Sequence, residues 1–231
     1  MKPTMIIINQ TELKLDPRGG LFWPNRQLLV VSDLHFEKGS HFAANGVPLP
    51  PHDTAETLNE LSAMLSYWQP ETVISLGDSF HDHHSIERMI EADRARLTAI
   101  VAAHNWVWIT GNHDGEIGLA LGGQAMAEWT VGGLCFRHQA HPRPSAGEIS
   151  GHYHPKAQIR HRGKLLSGRC FLGDGQRLIL PALGAFTGGL DVTDPVYQAF
   201  FKGAFHAHIM VRDRIISAPS RRLEVPLRLR R

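Results

Sequence analysis

Only two of the 231 residues are cysteine, Cys135 and Cys170, too few for a disulfide framework. No uninterrupted apolar run approaches the roughly 20 residues that a bilayer-spanning helix needs, so no membrane association is expected. Met1–Leu15 carries a short strand pattern at Met5–Ile8 but no cleavable hydrophobic region, and secretion is therefore not expected either. A reducing, cytoplasmic setting is the expectation. Internal repeats, low-complexity tracts and a sustained heptad are all missing. With 42% hydrophobic and 20% charged residues, that excludes disordered, collagen-like and coiled-coil chains. Also lacking are a nucleophile elbow, a Walker loop and a Cys-His pair, so the chain offers no covalent nucleophile or phosphate loop of those kinds.

What is present begins with length enough for one substantial core. The expectation is a single domain over 1–231, ending in a basic and flexible tail at about 220–231. The net charge of +2 hides an asymmetry. Residues 1–136 hold 8 Lys+Arg against 16 Asp+Glu, whereas residues 137–231 hold 16 against 6. Thirteen of those later cations are arginine, whose planar fork suits phosphate oxygens. Two solvated faces of opposite sign are the plainer reading of the same numbers. There are also 15 histidines, and their positions carry the functional argument.

Apolar runs ending in polar or turn residues recur at Gln27–Ser32, Thr72–Gly77, Val107–Gly111 and Leu134–His138, and read as short buried strands. Thr54–Trp68 places Leu58, Leu61, Leu65 and Trp68 on one helical stripe, with Asp53 or Thr54 as cap and Pro70 as stop. Ser85–His104 reads as a second helix. Strand–helix alternation through the first half argues for α/β layering, and the pattern becomes strand-rich after Gly132.

The strand ends deliver metal-ligand residue types: Asp33 and His35, then Asp78, then Asn112-His113-Asp114, then His138, with His152 and His154 in a later turn. In an extended strand i and i+2 share a side, so Asp33 with His35, and His152 with His154, are expected to converge. Two carboxylates, one amide and four imidazoles without thiolate suit Mn, Fe, Zn or Co. Seven ligands are too many for one catalytic metal and suit two sharing a carboxylate, an arrangement that activates water and clamps phosphate oxygens. Each piece alone is common. All of them in one order, each after an apolar run, are not.

This set of motifs resembles the calcineurin-like metallophosphoesterases. GDSFHD (Gly77–Asp82), DLHFEKGSHFA (Asp33–Ala43), LPPHDT (Leu49–Thr54), GEISGHYHP (Gly147–Pro155), RCFL (Arg169–Leu172) and PALGAFTGGLDV (Pro181–Val192) narrow it. They are similar to the bacterial ligase-associated DNA damage response endonucleases, the PdeM or MPE family. Departures from the family pattern stand at His52, Leu183 and Phe186. The resemblance implies a four-layer α/β/β/α sandwich of two mixed sheets flanked by helices. It implies Asp33, His35, Asp78 and His154 around one metal, and Asp78, Asn112, His138 and His152 around the other. His113 would contact the phosphate or protonate the leaving oxygen, with Asp114 orienting its ring. Two divalent ions, manganese first, a DNA substrate, and association with an ATP-dependent DNA ligase and a helicase are also implied.

Around this centre, Lys38 reads as a phosphate neutraliser at the rim or a solvated loop lysine, and His81 as a residue lining the site. Arg143, Arg160, Arg162 and Arg169 flank the last two histidine motifs, and Arg160 and Arg162 are the expected DNA contacts. Trp106, Trp108 and Trp129 read as core, and Cys135 as a buried thiol. Two rivals to a DNA endonuclease are a small-molecule diesterase, for instance of 2′,3′-cyclic nucleotides, and a non-catalytic repair scaffold.

Overall fold

A computed structural model of the chain describes residues 1–47, 52–113, 117–143, 145–161 and 163–224. Seven strands form the first sheet in chain order: β1 (Thr4–Ile8), β2 (Thr11–Leu15), β3 (Leu21–Trp23), β4 (Leu28–Val31), β5 (Thr72–Leu76), β6 (Asn105–Ile109) and β7 (Gln124–Met126). β1 to β4 run antiparallel and β4 to β7 parallel. The second sheet contains β8 (Glu128–Val131), β9 (Leu134–Arg137), β10 (Glu148–Ser150), β11 (Lys156–His161), β12 (Lys164–Gly173), β13 (Arg177–Ile179), β14 (His206–Val211) and β15 (Arg214–Pro219). Its order is β15-β14-β12-β13-β10-β9-β8, with β11 paired to β12. Its centre, β9-β10-β13, is parallel, so both sheets are mixed.

Alternation along β4 decides the layering. Leu28 and Val30 point to a core shared with Ile74, Val107, Phe136, Ile149 and Phe171, which packs the two sheets face to face. Leu29 and Val31 point the other way, onto Leu58, Leu61 and Met64 of α2 (Asp53–Trp68) and Leu97 and Val101 of α4 (Glu91–Ala102). α1 (Lys38–Ala44) and α3 (Ser85–Arg88) complete that side. On the far face of the second sheet Cys170, Leu172 and Ile209 cover Tyr197 and Phe200 of α5 (Val196–Phe200). The result is the four-layer sandwich of two mixed sheets flanked by helices. Full burial of each large apolar side chain contributes about 1.5–3 kcal/mol.

Three expectations need correction. Ser85–His104 is two helices, because Met89 (ψ 128°) and Ile90 (ψ 146°) are extended between α3 and α4. Met89 is buried, Ile90 is 62% exposed, and the acids Glu91 and Asp93 open a fresh first turn. Asp53 and Thr54 do not cap α2. The Asp53 carboxylate accepts from Gly39 N–H (2.9 Å), and Thr54 Oγ1 accepts from Glu37 N–H (2.9 Å), so both pin the loop that follows His35. Cys135 is half-buried, because β9 turns Leu134 and Phe136 inward and Cys135 away from the intersheet core. Trp106 and Trp108 are core residues as expected, and Trp129 packs partly buried against the intersheet core. The helix α2 ends where Pro70 requires, with Gln69 left-handed (φ 46°) and its N–H bonded to Leu65 O.

The basic tail is not free from its start. Ser220–Arg222 makes a 3₁₀ turn, Leu223 bridges Ile159, and Glu224 N–H donates to Gln158 O. Residues 225–231 lie outside the described part. No described helix is long and apolar enough to cross a membrane.

Candidate active site

The parallel strands of both sheets end at one crevice. Ser32–Glu37 follows β4, Gly77–Phe80 follows β5, Thr110–His113 follows β6, His138 follows β9 and Gly151–His154 follows β10. Brought together there are Asp33, His35 and His154 in one cluster, and Asp78, His138 and His152 in another. His35 Nε2 lies 3.4 Å from His154 Nε2, which is 3.3 Å from Asp33 Oδ1. In the second cluster His138 Nε2 lies 3.0 Å from His152 Nδ1 and 3.4 Å from Asp78 Oδ2. Asn112 joins it, with its side-chain nitrogen position 3.5 Å from His152 Nδ1.

Asp33 and His35 do not converge by strand alternation. Their φ values are +51° and +45°, those of His152 and His154 are +69° and +45°, and Asp78 stands at +46°. Left-handed backbone at a non-glycine residue costs of order 1–3 kcal/mol and persists only where surrounding structure imposes it. Here hydrogen bonds between loops impose it. Asp33 N–H donates to Gly77 O (3.3 Å), His35 N–H to Asp78 O (3.0 Å) and His81 N–H to Phe36 O (3.0 Å). The motif glycines permit the close approach: a Cβ on Gly151 would lie 1.8 Å from Ser32 Oγ, and one on Gly77 would lie 2.5 Å from His138 Nδ1.

The carboxylates are aimed by partners outside the clusters. Asp33 is 0% exposed; its Oδ2 accepts from Ser32 Oγ (2.5 Å) and His152 N–H (3.0 Å). Asp78 Oδ1 accepts the backbone N–H groups of Asn112 (2.8 Å) and His113 (3.1 Å), turning Oδ2 toward the histidines. His138 Nδ1 donates to Leu76 O (2.8 Å), which fixes the tautomer and leaves Nε2 to face the crevice. Burial works to raise the Asp33 and Asp78 carboxyls, but the facing histidines outweigh it and hold both below the ordinary range. Burial pushes His35 down to about 3, keeping it neutral and able to ligate. His138 is lowered by burial but lifted further by Asp78 and Asp33, to about 9.

These residues fit divalent metals. Imidazole nitrogens face each other at 3.0–3.4 Å with carboxylate oxygens beside them. Among the described residues the buried Asp33 Oδ1 has no well-aligned hydrogen-bond donor, His154 Nε2 facing it at 3.3 Å. A cation in each cluster would satisfy both features.

The remaining predicted residues divide. His113 is half exposed at the crevice, with Nε2 3.9 Å from Asp78 Oδ2, and its ring stacks on His81 (13° between planes). His81 also meets His35 and His41 edge-on, and burial lowers it to about 4. Lys38 opens α1 beside the crevice and is half-buried. Arg160 stands four residues, roughly 13 Å, along β11 from Lys156, with its guanidinium 3.6 Å from Glu224. Arg169 turns inward, donating from Nη1 to Ala182 O (2.7 Å) and Leu183 O (3.1 Å). Part of the basic excess is thus spent inside the fold, as it is for Arg177 and Arg137 on Glu148. Asp114 and Arg162 lie outside the described residues. Sequence reading missed Ser32 as the residue aiming Asp33, though it directly precedes the motif.

Among curated protein sequences none matches the chain. Among solved structures, the nuclease MPE of Pseudomonas putida aligns over 93% of this chain and 100% of its own, at 27% identity and a TM-score of 0.71. The E. coli phosphoesterase Yfce aligns over 83% of this chain and 97% of its own, at 14% identity; its TM-score of 0.40 is too low to bear on fold or chemistry. The calcineurin-like phosphoesterase model matches residues 26–184, which contain both clusters, Asn112 and His113. The chain belongs to the calcineurin-like phosphoesterase family, whose members hydrolyse phosphoesters with bound metal ions.

Proposed function

We propose that this protein is a two-metal phosphodiesterase that cuts DNA in repair. The observation that carries the two-metal part is the pair of adjacent donor clusters at one crevice. The nucleic-acid part is supported by the likeness to a nuclease over 93% of the chain. Asp33, His35, Asp78 and His154 would hold one cation, and Asp78, Asn112, His138 and His152 the other, with manganese the proposed metal. When bound, the pair supplies a strong nucleophile from water near neutral pH and offsets the charge that builds on the phosphate oxygens. His113, reaching the crevice from the Asn112 turn, donates a proton to the leaving oxygen. Lys38 faces the phosphate rim, and His81 braces the His113 ring by stacking. Association with an ATP-dependent DNA ligase and a helicase, in the cytoplasm where Cys135 and Cys170 stay as thiols, belongs to the same proposal.

Metal-stripped protein reloaded with Mn²⁺, Mg²⁺, Zn²⁺ or Co²⁺ and offered supercoiled plasmid, single-stranded DNA and bis-p-nitrophenyl phosphate tests it. Mn²⁺ is expected to restore activity on all three. DNA affinity should fall with salt at a log–log slope of about −0.7 per phosphate contact on single strands, while KM for the small diester barely moves. Turnover of the small diester with no cleavage of either DNA would leave the small-molecule diesterase reading in its place. No turnover of any substrate with any metal would favour the scaffold.

A further inference from the structure

Next to the crevice, across a single stretch of backbone, is a cavity of about 440 Å³, within the size range of small-molecule sites. Its inner wall is the segment Leu183–Thr187. Leu183 N–H donates to Ser32 O (2.8 Å) and Gly184 N–H to Asp33 O (3.1 Å), so this wall is laced to the backbone that presents Asp33 and His35. The approach is close enough that a Cβ on Gly184 would lie 2.3 Å from Leu34 O. Ala185 N–H reaches Thr57 Oγ1 on α2 (3.1 Å), and Thr187 Oγ1 closes back on Gly184 O (2.9 Å). Beyond it the chain lies on the other ligand loop, where a Cβ on Gly189 would lie 2.3 Å from His154 O. The cavity and the metal-ligand loops therefore share one wall.

That wall holds out an aromatic ring. Phe186 sits at φ +55°, a conformation bulky residues rarely enter, and is 42% exposed at the cavity. Backbone strain that keeps an apolar ring in water gains nothing for folding, and such outliers concentrate where a ligand is gripped. The rest of the lining sets the ligand's chemistry. Glu56, Asn59 and Glu60 stand exposed on the first turns of α2. The cation present, Arg169, is committed through Nη1 to two backbone carbonyls. Two carboxylates against one committed guanidinium disfavour a second phosphate and favour an uncharged ring carrying amino donors.

We propose that this cavity is a nucleobase subsite. It takes the base of a nucleotide flanking the scissile phosphate, stacks it on Phe186, and accepts hydrogen bonds from its exocyclic amino group at Glu56 or Glu60. The subsite rests on the nucleic-acid reading of the active site and adds a base preference to it: cytosine, adenine or guanine over thymine, which lacks the amino group.

Mn²⁺-loaded protein and single-stranded oligonucleotides carrying one abasic site, or one thymine in a cytosine tract, at successive positions test this. Cleavage by the wild type should drop about tenfold or more at bonds having the abasic residue at one fixed offset. A thymine at that offset should give a smaller drop, removed by Glu56→Ala with Glu60→Ala, which take away both acceptors. Phe186→Ala should lower cleavage of the intact strand by a similar factor and add nothing on the abasic strand, and Phe186→Trp should restore it. Metal content and melting midpoint report that the variants are folded. Equal loss on intact and abasic strands, or wild-type cleavage indifferent to abasic position, overturns the subsite while leaving the nuclease standing. Failure of the wild type to cut any strand while hydrolysing bis-p-nitrophenyl phosphate overturns the nucleic-acid reading and the subsite with it.

Discussion

Replacing Asp78 by alanine is expected to abolish hydrolysis of bis-p-nitrophenyl phosphate and to lower bound metal at both clusters. The reason lies in how the side chain is held. Oδ1 is fixed by the N–H groups of Asn112 and His113, and Oδ2 is turned to His138 at 3.4 Å and His113 at 3.9 Å. Burial of the carboxylate is tolerated because the facing histidines stabilise its charged form. Loss of the group would remove the ligand proposed to be shared by the two cations and let go of the Asn112–His113 turn. Several kcal/mol of charge stabilisation corresponds to roughly 10³-fold in rate or more. Elemental analysis beside the rate assay checks it, and a variant keeping two metals and near-wild-type activity would remove Asp78 from its bridging role.

His113→Ala should behave differently. His113 lies at the crevice with its side chain half exposed and outside both donor clusters, so its loss should leave metal content intact. If it protonates the leaving oxygen, kcat on DNA should fall by about 10²–10⁴-fold. The loss should shrink for bis-p-nitrophenyl phosphate, whose p-nitrophenolate departs without a proton. Equal losses on the two substrates would mean that the ring positions the phosphate instead. The stack with His81 gives a companion check, because a His81 substitution should disturb the same step less severely.

The strands and the ligand set were legible for a simple reason: buried parallel strands read as short apolar runs, and the ligands follow them directly. The two packed sheets were implied only by the family resemblance. Leu28–Val31 and Thr72–Leu76 stand within the runs expected, and Asp33, His35, Asp78, His138, His152 and His154 do meet. What stayed hidden depends on contacts distant in sequence. Hydrophobic spacing carried Ser85–His104 through as one helix, since a two-residue extended break leaves Met89 buried and Leu97 on stripe. The acids at Glu91 and Asp93 were the overlooked signal of a new start. The convergence of Asp33 with His35 was right, but its cause was misread. Left-handed backbone held by the Gly77 and Asp78 carbonyls brings them together, and no periodicity reports it. The arginines were read as one electrostatic block, whereas Arg169 and Arg177 point into the protein, where backbone carbonyls accept their N–H groups. Phe186 stood out in the sequence only as a departure from the family pattern; its exposure and positive φ are visible in the structure alone.

The central claim is that two cations occupy the crevice together. Anomalous diffraction from crystals grown at saturating Mn²⁺ addresses it most directly. The account predicts two manganese peaks per chain, one among Asp33, His35 and His154 and one among Asp78, His138 and His152. A single peak, or none at either cluster, in crystals of active protein would contradict it.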